Sequence, residues 1–313
     1  MADFEIFADS AANIPDEMRS ARNIQTISYY CTIDGKEVPC VEDGAKYSEI
    51  AKEFYAKMRE NADVKTSLIV EERFVEALSP ALESGKDALL FTISSGISGS
   101  YNQALAAKKT LEERYPARKV YVLDSANASL GEGLLVLKAA DLRDMGESAE
   151  TCSEWVKHNA YKMNSYFTVD DLKYLRKGGR ISRTLAIAGS ILNIKPILRA
   201  DGGANAKISF FGKARGRKKS ISAIIEAFDQ YAIRPEGQTV GIAHADCEEE
   251  ALELAKTLKE HGAGDVIVEY YDICSGTHVG PGTIALFFLG KDRKNDSAQT
   301  EPAPRGKTVT HHA

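Results

Sequence analysis

Long apolar runs are missing from this chain. None approaches the roughly 18 consecutive residues that span a bilayer, so no transmembrane segment is expected. Cysteine is scarce. The five, Cys31, Cys40, Cys152, Cys247 and Cys274, are odd in number and include no C-x-x-C pair, which favours neither a disulfide framework nor a zinc site. An excess of positive charge is missing too. Forty Lys and Arg stand against 45 Asp and Glu, a formal net charge of −5 spread along the chain, so a nucleic-acid partner is not expected. The opening MADFEIFADS has no basic stretch followed by an apolar one. A secretory signal is therefore not expected, and a reducing cytoplasm is the simplest location. What is present is ordinary: 43% hydrophobic and 27% charged residues in 313, enough for about two globular domains.

Short apolar runs alternate with amphipathic stretches, the pattern of an α/β protein. Strands are expected at 4–8, 24–32, 87–93 and 119–123, with helices at 47–59, 71–82, 101–115 and 130–145. The run Asp87-Ala88-Leu89-Leu90-Phe91-Thr92-Ile93 reads as a strand buried on both faces. A second series begins near Met163, with strands at 165–169, 194–199, 207–211, 239–244, 265–271 and 283–289. Its helices are expected at 170–176, 219–231 and 248–261. Domains are therefore expected at 1–162 and 163–290, and the polar residues 291–313 read as a disordered tail.

In an open α/β sheet, ligands gather beyond the carboxyl ends of the strands. Four strand ends carry polar residues: Asp9-Ser10, Ser94 to Ser100, Asp124-Ser125 and Thr277-His278. In Ser94-Ser95-Gly96-Ile97-Ser98-Gly99-Ser100 the glycines permit a tight turn into a helix N-terminus, where free N–H groups and the hydroxyls of Ser95 and Ser98 suit an anion. A Ser-rich helix cap explains the same residues equally well. Thr66-Ser67 reads locally as a loop entering a helix. His278 lies among Gly276, Gly280, Pro281 and Gly282, on a tightly shaped loop before a buried strand. Lys173 to Arg180 gathers positive charge at Gly178-Gly179, either as a solvated turn or as a surface with Arg180 able to grip a phosphate. Lys213, Arg215, Arg217, Lys218 and Lys219 form a second basic run, read as a surface patch.

Taken together and in this order, these segments resemble the DegV family of bacterial lipid-binding proteins over residues 4 to 290. The resemblance is carried by Asp9-Ser10, Thr66-Ser67, Ser94 to Ser100, and Asp124-Ser125 with Gly131 and Gly133. It continues through Asp171 to Leu175, Gly178-Gly179-Arg180-Ile181-Ser182, Leu192 to Ile197, and Thr277 to Gly282. It implies two α/β domains of the DegV type, with a tunnel for one long-chain fatty acid and the carboxylate site at their junction. Carried over, Thr66 and Ser95 are the direct donors to the carboxylate, with Ser67, Gly96, Ser98 and His278 beside them.

Family members act as acyl carriers for a separate fatty-acid kinase, which converts the bound carboxylate to an acyl phosphate. Arg180 would then face the phosphate or the kinase. The chain itself would be no enzyme, would need no cofactor or metal, and would touch a membrane surface only transiently. One departure is visible: Leu68-Ile69 follow Thr66-Ser67 where the family usually has Gln-Pro. A competing reading from the residues is a serine hydrolase that uses Ser95 or Ser98 with His278 and Asp9 or Asp124. Gly96-Ile97-Ser98-Gly99 lacks the spacing of a nucleophile elbow. A transcriptional regulator is a third reading, but no helix-turn-helix is visible.

Overall fold

The computed structural model describes residues 4–41, 47–181 and 193–295. Four parallel strands form the first sheet, in the order β2 (Ile24–Ile27), β1 (Phe4–Asp9), β6 (Asp87–Thr92), β7 (Val120–Asp124). The inner strands β1 and β6 are apolar on both faces because helices cover both sides. The run 24–32, expected as one strand, is two. Ser28 breaks it by accepting the amides of Cys40 and Val41, and the chain leaves the parallel sheet to enter β3 (Tyr30–Ile33). β3 is the middle of a small antiparallel sheet, between β4 (Lys36–Pro39) and β5 (Val64–Ser67).

A larger sheet follows in the order β10 (Ile208–Arg215), β9 (Ile194–Ala200), β8 (Met163–Thr168), β13 (Ile284–Leu289), β11 (Val240–His244), β12 (Val266–Tyr270). Only the pair β11 and β12 is parallel. The helices are α1 (Asp16–Ala21), α2 (Tyr47–Arg59), α3 (Glu71–Glu83), α4 (Ser100–Arg114), α5 (Leu130–Asp144) and α6 (Ala149–Asn159). After them come α7 (Lys173–Lys177), α8 (Arg217–Tyr231), α9 (Glu248–Glu260) and α10 (Ile273–Val279). In α2 the buried residues Ala51, Phe54, Tyr55 and Met58 follow helical spacing, so one face alone is apolar.

α5 is different. Leu130 to Leu137 are all buried, as are Ala139 and Ala140, because this helix lies between the two large sheets and touches β1 and β6 on one side and β8, β11 and β13 on the other. Alternation along the strands divides the large sheet's side chains. Phe167, Ala285 and Phe287 join the core shared with α5, whereas Tyr166, Leu286 and Phe288 pack with Ile224 and Phe228 of α8.

Four further expectations change. α10 replaces the loop expected around His278, and β5 replaces the loop expected at Thr66-Ser67. Arg217, read as part of a surface patch, is half-buried and paired with Glu250 of α9 at 2.6 Å. The residues just past 290 are also folded. Arg293 is buried, and its guanidinium donates to the carbonyls of Tyr161, Asp201, Ala126 and Ala160. Ser182, Leu192 and the remainder of the expected tail, from 296 on, lie outside the described residues.

Candidate functional site

The ends of β2, β6 and β7, the end of β5, α10 and the inner face of the large sheet converge on one cavity of about 250 Å³. Its walls divide by chemistry. Phe167, Phe287, Ala200, Ile208, Ile93 and Val279 supply apolar surface from both large sheets and α10. Thr66, Ser67, Ser94, Ser98, Arg180, Tyr29 and His278 supply polar groups. An elongated molecule with an apolar body and an anionic head meets its complement here.

His278 sits at the C-terminal end of α10, a short helix started by Asp272, whose carboxylate accepts the Ser275 amide at 2.7 Å. Its Nε2 lies 2.9 Å from Thr66 Oγ1. Its Nδ1 is buried without a hydrogen-bond partner, against Gly178, where an added Cβ would come within 2.2 Å of that nitrogen. Burial, reinforced by the positive charge of Arg180, lowers the imidazole to about 4, so it is neutral at pH 7.

Arg180 follows α7 and bridges two loops. Its Nε donates to the Ile97 carbonyl at 3.1 Å and one terminal nitrogen to the Gly178 carbonyl at 2.5 Å. Among the described residues no carboxylate is paired with it. That leaves a guanidinium on the cavity wall whose charge is available to an anion.

The Ser94 to Ser100 loop is held from outside the first sheet. Ser94 donates to the carbonyls of Asn205 and Ala206, in the turn between β9 and β10. Gly96 presses on the same turn, and a Cβ there would lie 1.9 Å from the Asn205 carbonyl oxygen, so only glycine fits. This docking turns Ser94 and Ser98 toward the cavity. Ser95 and Gly96, both expected in the site, are not on its wall, and the Ser95 amide instead donates to Asp124 at 3.2 Å. Thr66, Ser67, Ser98, His278 and Arg180 are all brought together on it.

Sequence reasoning missed Tyr29. Its hydroxyl lies 3.3 Å from Asp9 Oδ2, 2.8 Å from Ser100 Oγ and 3.2 Å from Ser98 Oγ. Asp9 also accepts the amides of Ala11 and Ile93. Burial outweighs these bonds and raises its carboxyl to about 7.

A serine-hydrolase triad is not assembled by these residues. His278 pairs with a threonine, its other nitrogen meets no acid, Asp9 is committed to Tyr29 and amides, and Asp124 to the amides of Ser95 and Ala126. Among the described residues no cluster of His, Cys, Asp and Glu is suited to a metal ion, and no helix is long and apolar enough to cross a membrane.

The family profile described as an uncharacterised protein of the DegV family matches residues 3–291. The chain belongs to the DegV family. A DegV domain-containing protein of Clostridium perfringens is 39% identical over 295 residues, covering 94% of this chain and 100% of the relative. The DegV protein of Bacillus subtilis is 33% identical, with 91% and 99% covered. Its crystal structure, described as that of a fatty acid binding protein, superposes with a TM-score of 0.78 at 31% identity, covering 93% of this chain and all of that one. A DegV-family structure from Ruminococcus gnavus, refined with vaccenic acid, gives 0.81 at 27% identity, with 92% and 100% covered. The mixed α/β fold is thus the DegV fold.

Proposed function

We propose that this protein binds one long-chain fatty acid, tail among the apolar walls and carboxylate at the Thr66–His278–Ser98 end, with Arg180 beside it facing the partner. The main support is the cavity itself, in which hydroxyls, a neutral imidazole and a guanidinium share one wall with aromatic and aliphatic side chains. DegV relatives described as fatty-acid binders support it further. Energetically the tail dominates, since each buried methylene contributes about 0.8 kcal/mol. The polar groups offset the desolvation of the carboxylate and fix its direction. In this reading Ser67 borders the head group, and Ser95 and Gly96 serve by shaping the loop that presents Ser98. The cavity then lies at the junction of domains 1–162 and 163–290. The carboxylate is presented to a partner kinase that forms an acyl phosphate, with Arg180 facing the incoming phosphate.

Native mass spectrometry of protein from a lipid-rich host is expected to show a co-purified fatty-acid adduct. Protein that carries none, and takes up none when palmitate is offered, overturns the reading. With a cognate kinase, Arg180→Ala is expected to keep the adduct but lose most acyl-phosphate formation. Loss of both together would remove the role given to Arg180.

A further inference from the structure

The buried side of the cavity holds a row of hydroxyls that ends on an acid. Asp9 lies at the end of β1, Tyr29 in the break between β2 and β3, and Ser98 and Ser100 at the start of α4. No two of these four are adjacent in sequence, yet the contacts run Asp9 Oδ2 to Tyr29 OH, to Ser100 Oγ at 2.8 Å, to Ser98 Oγ at 3.1 Å, and Tyr29 OH also reaches Ser98 Oγ directly at 3.2 Å. Backbone amides fill the remaining acceptor positions. Ile93 donates to Asp9 Oδ2, Ile69 to Ser100 Oγ, and Ser100 to Ser98 Oγ.

Counting protons along this row gives it a direction. With a proton on Asp9, the acid donates to Tyr29, Tyr29 donates to Ser100, and Ser100 donates to Ser98. Each oxygen then has its acceptor sites used, and the Ser98 proton is left pointing into the cavity. With Asp9 ionised, the Tyr29 proton turns back to the carboxylate. Tyr29 becomes an acceptor for a serine, and the row runs away from the ligand.

We propose that Tyr29 is a positioning residue of the head-group site: the hydrogen-bond chain from a neutral Asp9 through Tyr29 and Ser100 aims the Ser98 hydroxyl at the lipid carboxylate, and ligand binding is thereby linked to retention of the Asp9 proton. The proposal deepens, and rests on, the fatty-acid reading above. The only bond broken is the O–H of Asp9, whose proton goes to solvent on ionisation; Tyr29, Ser100 and Ser98 keep their own protons and only turn them. The ionised form is doubly unfavourable to the ligand, because it withdraws the Ser98 proton and places a second negative charge close behind the first.

The surroundings of Asp9 hold other titrating groups. Asp16 and Arg19 of α1, paired with each other, lie around the small cavity beside it, with Tyr47 of α2, Glu269 of β12 and Asp272 before α10. Glu132 of α5 is pushed up by burial and by the charges of Asp9 and Asp272, and Cys274 of α10 is raised to about 11. Asp272 is raised by burial to about 7, the same range as Asp9. Asp272 is hydrogen-bonded to the Ser275 amide and the Tyr29 hydroxyl to Asp9, Ser98 and Ser100, so substitutions along the chain separate the two acids.

The test uses hexadecanesulfonate, whose charge is fixed across the range, alongside palmitate. Titration calorimetry of the full chain would run from about one pH unit below to about one and a half above the Asp9 midpoint. Wild-type affinity is expected to be level below about 7 and to fall by up to about tenfold per pH unit above it, with about one proton taken up on binding, read from buffers of different ionisation enthalpy. Tyr29→Phe and Ser98→Ala are each expected to weaken binding at the acid end and to flatten the slope, while Ser98→Thr restores it. A flat wild-type profile with no proton uptake overturns the chain and leaves the fatty-acid reading standing. So does a wild-type slope kept in full by either Tyr29→Phe or Ser98→Ala, which would assign the pH dependence to charge acting through space, from Asp9, Asp272 or His278, and not to the hydrogen-bond chain. Folded wild-type protein that binds neither ligand at any pH overturns both readings.

Discussion

At the scale of single residues, the polar wall of the cavity is controlled by what burial does to charge. His278 is held to about 4 by desolvation and by Arg180. An arriving carboxylate favours the imidazolium and opposes Arg180, so the midpoint of His278 should rise on ligand binding. An imidazole titration followed by NMR, with and without palmitate, is expected to show that upward shift. An unchanged midpoint would place the carboxylate elsewhere in the cavity. His278 and Arg180 were legible in the sequence because glycine and proline around a lone histidine, or beside an arginine, mark shaped backbone. Tyr29 was not legible. It lies in a run that reads as continuous strand, and its partner Asp9 is 20 residues away, so only the fold brings the two together.

At the scale of elements, helices such as α2, α4, α5 and α9 were read to within a residue or two, but α6, of 11 residues, was not read, β10 runs four residues past its expected end, and β4, β5 and α10 were missed. β5 has only four residues, VKTS, too few to show alternation. α10, ICSGTHV, is rich in poor helix formers and exists because Asp272 caps it and because β3, β5, α2 and α7 pack around it. The close fit of α10 against the turn after α7 has a testable side. In Gly178→Ala the new methyl meets Nδ1 of His278 and must push the imidazole off Thr66. α7 is a short helix exposed on most of its surface, so the fold is expected to survive, with fatty-acid affinity reduced by about tenfold in a displacement assay. Wild-type affinity in a folded Gly178→Ala protein would show that the imidazole does not position the head group. The Ser95 expectation illustrates a limit of motif reading: which serine of a Ser-Ser pair lines the cavity depends on how Asn205 and Ala206 grip Ser94, and these are more than a hundred residues away.

At the scale of the whole molecule, Arg293 fastens the end of the chain to elements before and after residue 163. Its four carbonyl partners come from the loop after β7, from the turn before β8 and from the residue after β9. Arg293→Ala would take this donor from the carbonyls of Tyr161, Asp201 and Ala126, with Ala160 keeping Asn127 Nδ2, and is expected to cost roughly 3 kcal/mol in denaturant unfolding. Lysine should recover little, since it lacks the planar fork that reaches several oxygens at once. A loss below about 0.5 kcal/mol would mean that water replaces the guanidinium there. The sequence concealed this role because one arginine in a polar stretch looks like solvent-exposed chain.

The central helix carries a further consequence. Leu130, Leu134, Leu135, Val136 and Leu137 of α5 are buried between the large sheets, and re-exposing five such side chains costs on the order of 10 kcal/mol. That is comparable with the whole stability of a typical domain. A clamshell separation of the sheets would therefore approach the cost of unfolding. Under the fatty-acid reading proposed above, exchange is then expected at the rim, where Ser67, Leu68 and Gly99 are exposed beside Ile97 and Arg180.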